Sequence, residues 1–488
     1  MARMTISEFS RRVSLVTGTV ILATLFMDRT PGAQPSDWPR FRGPNGSGVP
    51  VEEVELPVTF GPSENVVWQT EIPPGMSSPV VAGGRIFLTA FRDKALWTFG
   101  IDAAGGRVLW EKKAPAAAIE EVHSTSSPAA STPATDGEMA IAFFGSYGLL
   151  AYDRDGKELW RLPLGPFKNP YGAASSPVIS GGLVLLNIDQ DEGSFLLAVE
   201  KATGKERYRV DRPGFPRGFS TPVVWERGGR REVLVAGTLR LIAYSADDGK
   251  ELWSHHGLAR IVNPTPVLGD GKLFVSSFAP GGDTGDRIAM PPFDEYAKLN
   301  DADKDGRFAD PEIPAGEMKV RFRQIDTDKD GFITRAEWES MAAIFEKAMN
   351  GLLALAPDGV EARYGVKLAW KYEKAIPYVP TVIYYRGHTF MVKDGGIYTL
   401  IDAASGKLVK QGRLSAGGAY YSSPVASGGK IVVISLDGEA TVLSAGADCQ
   451  VLATNSLRAR CAATPAIAGG RLYVRTDGKL YAFAAKEK

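Results

Sequence analysis

Short apolar runs, separated by turns that are rich in glycine, recur along the chain and indicate many short β-strands. Eight related stretches place a turn between two such runs, and most of them open on Ser-Pro or Thr-Pro. They read "SSPVVAGGRIFLTAF", "STPATDGEMAIAFFG", "SSPVISGGLVLLNID", "STPVVWERGGRREVLVAG", "NPTPVLGDGKLFVSS", "YVPTVIYYRGHTFMV", "YSSPVASGGKIVVIS" and "AATPAIAGGRLYVRT". One two-stranded unit is therefore repeated along the chain.

The repeats continue into a third strand, a glycine turn and a fourth strand. The clearest examples are "IDAAGGRVLWEKK", "AYDRDGKELWRL", "AVEKATGKERYRV", "AYSADDGKELWSH" and "LIDAASGKLVKQG". Four strands in a repeat of about 40 residues are typical of a β-propeller blade. The 54 glycines and 32 prolines among 488 residues also suit many short strands joined by turns.

The two ends of the repeat array complement each other. The last copy ends with "KLYAFAAKEK" after three strands, whereas "NVVWQTEI" near residues 65 to 72 has the pattern of a fourth strand. Pairing these segments closes the ring and removes two open sheet edges. We therefore predict an all-β fold, an eight-bladed β-propeller with four-stranded blades in which an N-terminal strand completes the last blade.

Tryptophans recur at one position of the outer strands, at Trp68, Trp110, Trp160, Trp253 and Trp370. We expect each ring to pack between neighbouring blades, with its N–H hydrogen-bonded to a turn. An aromatic ligand site is the alternative interpretation.

The fifth repeat is interrupted by about 70 residues in one hairpin loop, between Phe278 and the strand "LLALAPDG". In a four-stranded blade this loop opens on the same face as the connections between blades. The predicted organisation is a signal peptide over 1–33, propeller over 34–279, a small α-helical insertion over 280–350 and the remaining propeller over 351–488.

Two acidic segments of the insertion, "DADKDGRFADPE" and "DTDKDGFITRAE", have the spacing of EF-hand loops. Calcium prefers six to eight oxygens, and this pattern supplies carboxylates at positions 1, 3, 5 and 12 and a backbone carbonyl at position 7. We predict two Ca²⁺ sites. The first comprises Asp301, Asp303, Asp305, the carbonyl of Arg307 and Glu312; the second comprises Asp326, Asp328, Asp330, the carbonyl of Phe332 and Glu337.

The first loop departs from the EF-hand pattern. Pro311 and Pro314 interrupt the helix that should follow it, only residues 313–325 separate the two loops, and Ala309 offers no side-chain oxygen at position 9. Phe308 and Ile333, at position 8 of each loop, suit a short strand pairing between the loops. A metal-free acidic helix pair is the alternative interpretation. Outside the cytoplasm calcium is abundant, so we expect structural sites rather than sensors.

The N-terminus carries Arg3, Arg11 and Arg12, then an apolar run over 13–26 and small residues before Gln34. This run is too short to span a bilayer and predicts a secretory signal, by the general or the twin-arginine route. We expect an exported protein, periplasmic or extracellular, and not a lipoprotein because no cysteine lies near the cleavage region. An uncleaved membrane anchor is the alternative.

The charge balance argues against one class of partner, and the cysteine positions argue against a disulfide. Lys plus Arg and Asp plus Glu both number 56, so we expect no nucleic-acid partner. Cys449 and Cys461 flank a predicted strand and turn, which separates them too far for a bridge; we expect two free thiols rather than a disulfide.

The blade pattern "AYDRDGKELW" resembles the PQQ-type repeat of quinoprotein alcohol dehydrogenases and of the propeller lipoprotein in the outer-membrane β-barrel assembly machinery. "WPRFRGPNGSGV" with "VVWQTEIPPGMSSPVV" is similar to exported bacterial PQQ-like propellers. The resemblance implies the fold, and a dehydrogenase would further require a catalytic Asp and a calcium on the quinone, often with adjacent cysteines. The chain has no Cys-Cys pair, so we do not expect PQQ.

The segments connecting the blades converge on the channel mouth and offer polar and aromatic side chains for a ligand. These candidates are His123, Arg217, Arg260, Asn263, Tyr378, Tyr420 and Tyr421. The acidic loop "NIDQDEGSF" is expected to be a solvated turn. We predict a monomeric calcium-binding scaffold for an envelope protein or a small ligand; the alternative is an enzyme using the mouth, such as a PQQ-dependent dehydrogenase.

Overall fold

The computed structural model describes residues 36–283, 288–358 and 365–486. It confirms the predicted fold, since eight four-stranded antiparallel sheets form the blades of a propeller. The predicted signal peptide, residues 1–33, lies outside the described residues. Among those described, no helix is long and apolar enough to cross a membrane.

The strands follow one another in chain order within each blade, with a single exception at the ring closure. Strand β1 is Val66–Glu71. The first three blades are β2 (Val80–Ala82), β3 (Arg85–Arg92), β4 (Ala95–Asp102) and β5 (Val108–Lys113); β6 (Ala134–Thr135), β7 (Met139–Phe144), β8 (Gly148–Asp153) and β9 (Glu158–Pro163); and β10 (Val178–Ser180), β11 (Leu183–Ile188), β12 (Phe195–Glu200) and β13 (Glu206–Asp211).

The fourth blade is β14 (Val223–Arg227), β15 (Arg230–Gly237), β16 (Arg240–Ser245) and β17 (Glu251–His256). The fifth blade holds β18 (Val267–Gly269) and β19 (Lys272–Ser277), then the insertion with β20 (Arg307–Ala309) and β21 (Phe332–Thr334), and then β22 (Gly351–Asp358) and β23 (Gly365–Tyr372).

The sixth and seventh blades are β24 (Ile383–Tyr385), β25 (His388–Lys393), β26 (Ile397–Asp402) and β27 (Leu408–Arg413); and β28 (Val425–Ser427), β29 (Lys430–Ile434), β30 (Glu439–Ser444) and β31 (Val451–Ser456). The last blade has β32 (Ala466–Ala468), β33 (Arg471–Arg475) and β34 (Lys479–Phe483). Strand β1 pairs antiparallel with β34, so the N-terminal strand closes the ring as predicted.

The outer-strand tryptophans hold neighbouring blades together. Trp68, Trp110, Trp160 and Trp370 each donate their indole N–H to a carbonyl in the next blade's outer hairpin turn, at 2.8 to 3.2 Å. Trp253 differs, because its N–H is donated to Oε2 of Glu232 at 2.8 Å within its own blade. The predicted hydrogen bond to a turn is therefore confirmed for four of the five tryptophans, and it is wrong for Trp253.

The recurring Ser/Thr before the inner strands forms a ring of hydrogen bonds around the channel. In seven of the eight steps, the backbone N–H of one blade's Ser or Thr is donated to the hydroxyl of the next blade's equivalent residue. In ring order the residues are Ser78, Thr132, Ser176, Thr221, Thr265, Thr381, Ser423 and Thr464, and the N–H of Thr464 is donated to the hydroxyl of Ser78. The missing step lies between Thr221 and Thr265, and Oγ1 of Thr265 is buried without a partner among the described residues.

The segment over 37–49 lies against the inner strands of several blades, near the face opposite the insertion. Trp38 forms a β-bridge with Val81, and the side chain of Asn45 exchanges hydrogen bonds with Val224. Arg42 is fully buried and donates to carbonyls, among them Val382 at 2.9 Å, while burial lowers its pKa to about 9. This segment therefore connects inner strands of different blades at one face, and the insertion extends from the other.

The insertion has a small core of its own. Its helices are α1 (Phe293–Asn300), α2 (Glu317–Val320), α3 (Phe322–Ile325) and α4 (Arg335–Lys347), with a 3₁₀ turn over Asp310–Glu312. Strands β20 and β21 pair through Phe308 and Ile333, as predicted for position 8 of the two loops. The buried core comprises Ile288, Phe293, Phe308, Ile313, Met318, Phe322, Ile325, Ile333, Trp338, Met341 and Phe345.

Two expectations about smaller features have different outcomes. Cys449 and Cys461 are free, buried thiols, as expected. The expectation of a solvated acidic turn near residue 187 is wrong. Asp189 is buried there and forms a bidentate ion pair with the fully buried Arg212, at 2.7 and 2.9 Å, because the loop folds back under the next connection.

Candidate functional site

The first EF-type loop begins where α1 ends. The N–H of Gly306 is donated to Oδ2 of Asp301 at 3.1 Å, and the left-handed backbone of Gly306 (φ +83°) allows the sharp turn at position 6. Carboxylate oxygens of Asp301, Asp303 and Glu312 lie within 4.8 Å of one another. The carboxylate of Asp305 does not belong to this cluster, and Nε of Arg307 donates a hydrogen bond to its Oδ2 at 2.7 Å.

The second loop, between α3 and α4, has the same turn, with the N–H of Gly331 donated to Oδ2 of Asp326 at 3.2 Å. Here the clustered carboxylates are those of Asp326, Asp328 and Asp330. Glu337 at position 12 accepts hydrogen bonds from the backbone and hydroxyl groups of Thr327 and Thr334, all at 2.8 to 2.9 Å. The loop therefore leads directly into a capped helix.

The residues of both loops fit a hard divalent cation. Oδ1 of Asp301 and Oδ1 of Asp326 are each shielded from solvent and have no hydrogen-bond partner among the described residues. A buried carboxylate oxygen without a partner is costly, and an oxygen-coordinated cation would satisfy it. Both atoms belong to position 1 of their loops, where an EF-hand places its first calcium ligand.

The charges of the second loop also favour a cation. Burial raises the pKa of Asp326, hydrogen bonds from Gly331 and Lys329 lower it, and the nearby charges of Glu337 and Asp330 raise it further. Burial acts to raise the pKa of Glu337 as well, but the hydrogen bonds from Thr334 and Thr327 outweigh it, so this pKa is lowered. A divalent cation at this position would relieve the repulsion between these carboxylates.

The first loop carries a competing internal cation. The side-chain hydrogen bond from Arg307 is the main reason that the pKa of Asp305 lies below its usual value. The guanidinium of Arg307 also stacks over the ring of Phe332 in the second loop, 3.7 Å from its centroid. A calcium ion in the first loop would compete with Arg307 for Asp305.

The structure brings part of the predicted mouth together. The side-chain amide of Asn263 donates to the carbonyl of Tyr378 at 2.8 Å, and burial raises the pKa of Tyr378, with Tyr171 and Tyr421 also contributing. Arg217 pairs with Asp191 through two hydrogen bonds, at 2.6 and 3.1 Å.

Other predicted mouth residues are placed differently. His123 is exposed at the edge, where its Nδ1 lies 2.8 Å from Oγ1 of Thr125 and its ring lies 5.4 Å from that of Tyr171. Tyr420 is not at the mouth, because it is buried in the propeller core and its hydroxyl donates to the carbonyl of Ala416 at 2.8 Å.

The seam between the insertion and the propeller was missed by the sequence reasoning. Lys329, at position 4 of the second loop, forms an ion pair with Asp191 at 2.9 Å. Asp191 lies in the acidic loop that the sequence led us to expect as a solvated turn. No sequence signal distinguishes Lys329 from Lys304, which occupies the same position of the first loop.

A crevice lies along this seam. It has about 30 Å³ of internal space and is lined from the propeller side by Asp191, Arg217 and Arg260, and from the insertion side by Asp326 and Lys329 among others. An open recess of about 380 Å³ adjoins it at Lys329 and is lined also by Glu120, Lys168 and Asn169. Burial raises the pKa of Glu120 to about 7.

The propeller matches a known family of proteins. The family model described as outer membrane protein assembly factor BamB matches residues 61–186, 165–281 and 393–487, which together cover well over half of the chain. The chain belongs to this family. An EF-hand model matches residues 318–342 of this BamB-family propeller, which contain the second loop. No curated protein matches the chain significantly.

Solved structures share the fold at low identity. BamB from Moraxella catarrhalis is 14% identical, with a TM-score of 0.55 over 86% of this chain and 99% of that one. A quinohemoprotein alcohol dehydrogenase from Comamonas testosteroni is 14% identical, with a TM-score of 0.54 over 94% of this chain and 82% of that one. The computationally designed protein Ika8 is 8% identical, with a TM-score of 0.52 over 86% of this chain and 99% of that one.

Proposed function

We propose that this BamB-family propeller is an exported binding scaffold whose insertion is held in place by two calcium ions. The observation that carries the proposal is the pair of buried, unpartnered oxygens on Asp301 and Asp326, each at position 1 of an EF-type loop. Calcium would be held by the two predicted ligand sets and would supply charge neutralisation and cross-linking of each loop. The acidic cluster in each loop supports this assignment.

The arrangement favours a structural role for calcium over a switch. A sensor opens a helix pair to expose an apolar groove. In this insertion the exit helix of the first loop is a 3₁₀ turn over Asp310–Glu312, and the entry helix of the second is broken at Arg321. Phe322, Met341 and Phe345 are already buried in the insertion core. Calcium would therefore stabilise this packing rather than expose a new surface.

The position of the insertion on one face of the propeller supports the scaffold role. The base of the insertion is tied to the propeller by Asn350, whose side chain accepts from the N–H of Ala279 at 2.8 Å and donates to its carbonyl at 3.0 Å. The backbone N–H of Met349 is also donated to the carbonyl of Leu258, at 3.1 Å. An insertion that calcium holds rigid at the channel mouth is suited to presenting a binding surface to a partner in the cell envelope.

The test is a calorimetric calcium titration of chelator-stripped protein beside the double variant E312A/E337A. The expected result is saturable binding of two ions that the variant loses while its circular dichroism stays that of a β-protein. Protein mixed with PQQ and then dialysed tests the dehydrogenase alternative. A quinone absorption band that survives dialysis would replace the scaffold proposal with an enzyme, and absence of calcium binding would remove the calcium proposal.

A further inference from the structure

The side chains that line the crevice between the insertion and the propeller include more cations than anions. Arg217 and Lys329 share the single carboxylate of Asp191, which is only 6% exposed. Arg260 and Arg323 add two further cations. Burial lowers the pKa of Arg260, and the charges of Arg321 and Arg217 lower it further.

Arg260 has no compensating anion among the described residues. Its Nε is shielded from solvent and without a hydrogen-bond partner, and the guanidinium faces the ring of Phe345 at 5.8 Å. A buried guanidinium N–H without an acceptor is costly, and a carboxylate or phosphate oxygen is the acceptor that this group binds best. Arg260 thus lacks a negative partner among the described residues.

The remaining negative charge at the crevice comes from the second EF-type loop. Asp326, the position 1 ligand, lines the crevice together with Arg260 and Lys329. Without calcium, the carboxylates of this loop would repel an entering anion. A calcium ion bound there would neutralise them and leave the cations that line the crevice to act on the anion.

We propose that the crevice binds the anionic head group of a small molecule, held by Arg260 and Arg217, and that calcium in the second loop strengthens this binding. This inference rests on the proposed calcium site. The internal space of about 30 Å³ admits a carboxylate or phosphate group but not a whole cofactor, so the rest of the ligand lies over the adjoining recess.

The coupling between the two ligands is reciprocal, which gives a direct measurement. An anion that binds better when calcium is present must raise calcium affinity by the same factor. The expected factor is about fivefold, the lower end of typical coupling between two sites. Sulfate is the probe for the head group alone, and glucuronate against neutral glucose is the probe for a carboxylate on a polar ring.

The experiment uses the full chain with the substitution Glu312→Gln, so that calcium binding reports mainly the second loop. Calcium is titrated in sulfate and in chloride of matched ionic strength, with free calcium read by a selective electrode. Arg260→Gln is the test variant. Arg161→Gln is the matched control, because Arg161 pairs with Glu158 on the outer strand of another blade.

In the protein that carries only Glu312→Gln, and in the same protein with the Arg161→Gln control substitution, sulfate should raise calcium affinity about fivefold. With the Arg260→Gln substitution, sulfate should leave calcium affinity unchanged. Glucuronate should act like sulfate, whereas glucose should not. Calcium binding without any sulfate or glucuronate effect, or with the same effect in the Arg260→Gln variant, overturns this inference and leaves the calcium proposal standing. Failure to bind calcium in chloride overturns both.

Discussion

The two EF-type loops share a sequence pattern but not an environment. The second loop leads into α4, a helix of 13 residues capped by Thr334, and its Asp326 is buried. The first ends in a 3₁₀ turn of three residues over Asp310–Glu312, and one of its carboxylates is paired with Arg307. The comparison shows that the spacing of the carboxylates specifies an EF-type loop. The neighbouring helices and side chains determine how well those carboxylates are positioned to bind a cation.

The two loops also differ in what they contact. Lys329 of the second loop forms an ion pair with the propeller, whereas Lys304 at the same position of the first loop forms none with any described residue. Both lysines have a left-handed backbone, with φ of +61° and +60°. We therefore expect the second loop to bind calcium more tightly and to fix the insertion on the propeller.

The largest expected effect is loss of the position 12 carboxylate in the second loop. Glu337→Gln should weaken calcium binding there by about a hundredfold or more, because even outer-shell partners of metal ligands are worth ten- to hundredfold. Glu312→Gln is the matched change in the first loop and should remove only the weaker binding step. Calorimetry of both variants checks this, and equal losses would show that the two loops are equivalent.

Calcium removal should affect the insertion far more than the blades. At a calcium concentration ten times the dissociation constant, each site adds about 1.4 kcal/mol of stability. Hydrogen exchange with and without chelator should therefore show faster exchange in α4 and β21, and unchanged exchange in blade strands such as β30. Unchanged exchange in α4 would contradict the structural role of calcium.

Freeing Asp305 should improve the first loop. Arg307→Gln leaves the backbone carbonyl at position 7 but removes the side chain that competes for Asp305, so calcium affinity of the first loop should rise about three- to tenfold. The second loop, which has Phe332 at this position, is the internal control. A fall in affinity of the first loop would mean that Arg307 supports the calcium-bound geometry.

The smallest expected effect concerns the contact with the propeller. Lys329→Ala should destabilise the protein by up to about 1 kcal/mol, since the pair is partly exposed and Asp191 retains Arg217. Lys304→Ala should change stability by less than about 0.5 kcal/mol. Urea unfolding of the two variants measures the difference, and equal effects would argue against docking through Lys329.

The propeller was predictable because its determinants are periodic. Each blade repeats the same alternation of apolar runs and glycine turns, and the strand "NVVWQTEI" showed how the ring closes. The EF-type loops were predictable for a similar reason, since their ligands are fixed by spacing within twelve residues. These features depend on contacts between residues that are close in sequence or related by the repeat.

The features that were missed depend on contacts between distant segments. Asp191 and Lys329 are far apart in the sequence and meet only because the insertion folds back over the third blade's loop. The burial of Asp189 with Arg212 depends on the same loop, and an acidic stretch read alone resembles a solvated turn. Tyr420 and Tyr421 are adjacent in the connection between β27 and β28, so only the course of that connection decides which of them enters the core.

The most direct test of calcium binding follows the position 6 glycines of the two loops by NMR on deuterated protein during calcium titration. The amides of Gly306 and Gly331 are donated to Asp301 and Asp326, so each should report calcium at its own loop. We expect large shifts of both amides, with Gly331 responding at a lower calcium concentration than Gly306. Unchanged amides at millimolar calcium, or Gly306 responding first, would contradict this difference between the loops.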